Sequence, residues 1–120
     1  MENVEYAEIV IEQVHKKTFR GDLKWQISGE SVRAEPTPAI TVSFKFYDDG
    51  PDSAVWEYVY VSHPVGKDAV MLGNPASAKA RLISTMASER ALVQLNDIFR
   101  HVALEPRKTQ FEDAMKELQN

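Results

Sequence analysis

The sequence has no cysteine, which excludes disulfides, thiolate zinc sites, iron–sulfur clusters and cysteine nucleophiles together. No apolar run approaches the roughly 20 residues that a membrane-spanning helix needs. Excess positive charge is missing too. Lys and Arg number 14 against 18 Asp and Glu, for a net charge of −4. That balance opposes the phosphate neutralisation on which non-specific nucleic-acid binding rests. The start, Met1-Glu2-Asn3-Val4-Glu5, has neither the basic residues nor the apolar run of a secretory signal. The five glycines, at 21, 29, 50, 66 and 73, are too dispersed for a phosphate-cradling loop or a dinucleotide fingerprint. No serine sits in a G-x-S-x-G elbow. The expectation is a cytoplasmic protein with no membrane segment, no nucleic-acid partner and no cofactor.

What is present is ordinary for a globular chain. At 120 residues and 43% hydrophobic content, one α+β domain covering 1–120 is the expected organisation. Val4, Ala7, Ile11, Val14 and Thr18 recur at helical spacing, which predicts a helix over 4–18. Glu2, Glu5 and Glu8 fall early and His15, Lys16, Lys17 and Arg20 late, an order that suits the helix dipole. Gly21 is the expected stop.

Residues 23–28 alternate, with Leu23, Trp25 and Ile27 on one side, and predict a half-buried strand. Residues 29–38 read as a loop with room for a short edge strand at 31–35. Residues 39–47 are the clearest strand, with Ile40, Val42, Phe44 and Phe46 facing one way and Thr41, Ser43, Lys45 and Tyr47 the other. The turn formers of 48–53 then predict a hairpin into a strand over 54–61. A fourth strand is expected over 67–72. The segment 76–88 reads equally as helix or strand. A helix is expected over 88–103, broken or kinked by Pro106, and a last helix over 107–119 with Phe111, Met115 and Leu118 as its apolar positions.

These elements carry a resemblance. The run Thr18-Phe19-Arg20-Gly21-Asp22-Leu23-Lys24-Trp25 reads T-x-x-G-x-L-x-W between a helix and a sheet, and Leu92, Leu95, Ile98 and Phe99 follow on a later helix. In this the chain resembles a loose set of small bacterial proteins of unknown function. The resemblance implies a first helix, a β-meander and a C-terminal helix packed on the sheet. It implies no activity.

Four constellations are candidates for function. The acidic turn 48–53 lacks calcium-loop spacing: the glycine comes too early, and the twelfth position, where a carboxylate should close the loop, is Val59. His15, His63 and His101 share no metal-ligand spacing within an element. His63 with Asp48 or Asp49 is the pair that could form a non-local ligand or enzyme site. Arg100, His101, Arg107 and Lys108 gather around Pro106 as a candidate anion site.

The fourth is an aromatic stripe. If Tyr47 pairs with Ala54, then Val55, Val59 and Val61 join the apolar face, and Trp56, Tyr58 and Tyr60 stand with Lys45 on the other. Tyrosine and tryptophan are enriched at protein interfaces. The reading that follows is a non-enzymatic protein-binding or assembly module, its partner another protein or a second copy as a homodimer. The alternative is a small ligand-binding protein or enzyme near His63 and the 48–53 turn. The expected fold is α+β, an antiparallel β-meander of four or five strands with the N-terminal and C-terminal helices packed mainly on one face.

Overall fold

The computed structural model describes residues 3–50, 53–66 and 68–120. The parts of the foregoing expectations that concern Glu2, Pro51, Asp52 and Lys67 lie outside these. Helix α1 (Asn3–Phe19) leads into strands β1 (Gln26–Ser28), β2 (Ser31–Thr37), β3 (Ile40–Asp48), β4 (Ala54–Val61) and β5 (Val70–Gly73). The strands pair in chain order as one antiparallel five-stranded meander. Helices α2 (Glu89–Phe99) and α3 (Glu105–Gln119) complete an α+β fold.

Helices α1 and α2 cover one face of the sheet. Ala7, Val10, Ile11 and Val14 of α1 and Ala91, Leu95, Ile98 and Phe99 of α2 are buried against Val32, Val42, Phe44, Phe46, Val59, Val61 and Leu72. Phe44 sits at the centre, its ring 5.6 Å from Phe99, 5.7 Å from Trp56 and 5.8 Å from Trp25. The two helices run side by side in the same direction, because Glu8 meets Ser88, Glu12 meets Arg90 and His15 meets Asp97 in that order. At the end of α1 the Thr18 hydroxyl donates to the Val14 carbonyl and accepts from the Trp25 indole, tying the helix exit to the sheet entry. Gly21, at φ 76, makes the reversal between them.

Five points depart from the sequence reading. Strand β1 is only three residues long, and Ile27 is 46% exposed because β1 lies at the sheet edge beyond the helices. The second strand spans 31–37 and is interior, paired on both sides. The 76–88 segment is neither of the two alternatives: a short 3-10 turn at Ala78–Leu82 is followed by an irregular stretch with one parallel bridge, Gly73 to Met86. The start of that segment meets Tyr47, where Ser77 bonds the hydroxyl and Lys79 stands over the ring, and its end runs along the free edge of β5, with Thr85 and Ala87 bonded to Gly73.

Pro106 does not end the helix. Arg100–Leu104 form a π-helical turn, and the Glu105 N–H reaches back five residues to the Arg100 carbonyl. Widening this turn accommodates a residue that has no N–H and whose ring would strike the carbonyl four positions back in a regular helix. Finally, α3 meets the sheet through its first turn, at Arg107, and beyond that turn does not pack on it. It continues past the β3–β4 hairpin and has no buried residue.

Candidate functional site

On the open face of the sheet, the strand register changes which side chains stand together. Near the turn the pairs are Asp48 with Ala54, Tyr47 with Val55 and Phe46 with Trp56. Beyond a bulge they become Lys45 with Tyr58, Ser43 with Tyr60 and Val42 with Val61. Glu57 is the extra residue. Side chains alternate along a strand, so one extra residue reverses the facing of everything on one side of it. Trp56 therefore shares the core face with Phe46 and is 2% exposed. Its indole N–H donates to Asn96 Oδ1 of α2 at 2.9 Å. Tyr58 and Tyr60 keep the outer face. The expected stripe of Trp56, Tyr58 and Tyr60 is thus divided between two faces, and Val55, expected in the core, lies outside with Tyr47.

What remains on the outer face is mostly polar. Lys45 pairs with Glu30 at 3.1 Å, beside Ser31, Arg33 and Ser43. Tyr60 and Met71 lie opposite each other, each 38% exposed.

The four basic residues around Pro106 do not converge. Arg107 bonds Asp48 at the end of β3, and its guanidinium lies over the Phe46 ring, 5.6 Å from the centroid. Arg100 turns to Asp97, and His101 to Glu105 at 3.6 Å. Lys108 is exposed. Each of the first three already has a carboxylate, which leaves no shared pole for an anion.

His63 and the acidic turn are also apart. His63 lies two residues past the end of β4 and Asp48 ends β3, so they stand at opposite ends of one hairpin. Strand β4 has eight residues, so its ends are roughly 23 Å apart at about 3.3 Å per residue. The His63 ring lies 4.7 Å from that of Tyr6, and its Nδ1 accepts from the Val65 N–H, a turn-stabilising arrangement.

Sequence reasoning missed one cluster. At the exit of α1, the Phe19 ring lies between His15 and His101, 4.9 Å from each. His15 meets Asp97 at 3.3 Å, and the groove they line with Arg100 and Glu105 has a volume of about 330 Å³. No local spacing could signal it, because its halves are more than 80 residues apart in the chain. The aromatic ring separates the imidazoles, and each has its own carboxylate. Among the described residues, no three His, Asp or Glu side chains converge in a way that could hold a metal ion.

The surface that stands out is α3. Phe111, Met115 and Leu118 fall at i, i+4 and i+7 on one side of the helix, and they are 41%, 38% and 79% exposed. Arg107 anchors its first turn. Beyond that anchor, residues 108–120 are all exposed. At about 1.5 Å per residue, the 15-residue helix is roughly 22 Å long, and it contributes to a molecule extending 57 Å along its longest axis against 32 and 23 Å across.

No protein-family model, no curated protein and no solved structure matches the chain.

Proposed function

We propose that the chain is a small non-enzymatic binding or assembly module whose contact element is α3. One observation carries this reading: Phe111, Met115 and Leu118 lie together on one side of a helix that has no buried residue, and all three are exposed. Helices of this length are marginal alone in water, and their stability comes mainly from burying an apolar face. A partner that covers Phe111, Met115 and Leu118 supplies that burial. Helix-in-groove and helix–helix recognition use this spacing of anchors. The outer sheet face, with Tyr58, Tyr60, Lys45 and Met71, is polar enough to remain in water and needs no partner.

The test is thermal unfolding of the dilute chain against Phe111→Glu and Leu118→Glu. If the stripe serves a partner, both variants unfold within about 2 °C of the parent, since surface changes of this kind stay within about 0.5 kcal/mol. A fall of many degrees would place the stripe in the chain's own core and end this reading.

A further inference from the structure

We propose that the partner of α3 is α3 of a second copy of this chain, the two helices lying antiparallel. The proposal rests on the assembly-module reading and names its partner. Three features of the helix lead to it. The first is the spacing. Lys108, Phe111, Met115 and Leu118 step by three, four and three residues, the alternation of a 3.5-residue repeat. That period keeps a seam along the helix axis, a shape that another straight helix with the same repeat can match.

The second is charge, which selects the direction. Lys108 is the one polar residue on the seam, and it lies near the start of the helix. Arg107 beside it is already bound to Asp48. Glu112, Asp113 and Glu117 occupy the later turns with Lys116. In a parallel pair the Lys108 ammonium groups of the two copies meet on the seam and repel. In an antiparallel pair Phe111 of each copy packs on Met115 of the other, and Lys108 reaches Leu118. There the Glu117 carboxylate and the carbonyl end of the helix receive the ammonium. A single polar residue on a seam commonly sets orientation and register in this way.

The third is attachment. The π-helical turn and the Arg107–Asp48 pair hold the root of α3 against the body, while residues 108–120 stay exposed. A second α3 can therefore approach along its length. The seam is short. It covers less than the ~800 Å² per partner of a standard stable interface, so the association belongs to the weak, concentration-dependent class.

Sedimentation equilibrium from micromolar to millimolar chain, with Met115→Glu as control, is the first measurement. The expected result is a reversible dimer that Met115→Glu weakens at least roughly tenfold. The second measurement uses the absence of native cysteine. Lys108→Cys and Leu118→Cys chains, mixed and oxidised, should cross-link with each other, whereas Leu118→Cys alone should not. Circular dichroism checks that each variant is folded. A dimer in which Leu118→Cys alone cross-links is parallel and overturns the proposal, as does a dimer unaffected by Met115→Glu. A monomer up to millimolar concentration overturns self-pairing too. In that case the broader reading stands if Phe111→Glu still leaves the unfolding temperature unchanged, and falls with it if Phe111→Glu lowers that temperature markedly.

Discussion

Helices α2 and α3 are two parts of one nearly continuous rod, yet they have opposite fates. In α2, Ala91, Leu95, Ile98 and Phe99 are all buried. In α3, Phe111, Met115 and Leu118 have the same helical spacing and none is buried. The difference lies in what each helix passes over. Helix α2 runs above β3 and β4, and its Phe99 packs on Phe44 and Phe46. The first turn of α3 still meets the end of β3, where Arg107 holds Asp48 and lies over Phe46; beyond that turn the sheet has ended. Amphipathic periodicity therefore marks a face that can be buried, and the extent of the neighbouring layer decides whether it is.

The most direct way to break this comparison is a matched pair of truncations. Phe99→Ala should cost about 3–5 kcal/mol in denaturant unfolding, the range for emptying a large aromatic from a core. Phe111→Ala should cost no more than about 0.5 kcal/mol. Equal losses would mean that both helices belong to one core. Next in size is a contrast within β4. Trp56→Phe should cost about 2 kcal/mol, through a small cavity and the lost bond to Asn96, while Tyr60→Phe on the outer face should change stability by less than about 0.5 kcal/mol. If Tyr60→Phe proved the costlier, the bulge at Glu57 would be misplaced.

A smaller effect sharpens the junction between helix and sheet. Thr18→Val removes the hydroxyl that serves both Val14 and Trp25, and should cost about 1 kcal/mol. An unchanged unfolding midpoint would mean that this bridge adds nothing to stability.

The smallest effect concerns pH. Burial raises the Tyr6 hydroxyl above its ordinary value of 10.0, and the hydroxyl donates to the Ser62 carbonyl. The folded state therefore keeps this proton to higher pH than the unfolded state does. Its contribution is fully present below pH 10 and declines as pH rises through the raised value. Tyr6→Phe should accordingly flatten part of the alkaline loss of stability, and an identical pH profile in the variant would contradict this assignment.

Local periodicity alone settled much of this protein. The spacing of Val4, Ala7, Ile11 and Val14 marks a helix, and the alternation through Phe44 and Phe46 marks a strand, because each signal is complete within a few residues. The turn after Asp48 and the cap at Ser88 are equally local, and the Ser88 hydroxyl does accept from the Ala91 N–H. Three outcomes needed tertiary structure. Whether Trp56 faces the core depends on one extra residue, Glu57, whose position is set by how β4 fits a partner strand. Whether His15, Phe19 and His101 meet depends on two helices from opposite ends of the chain lying side by side. Whether the stripe of α3 is covered depends on where the sheet ends. A side chain's periodic neighbours are encoded beside it, but the surface it finally touches comes from residues that only folding brings close.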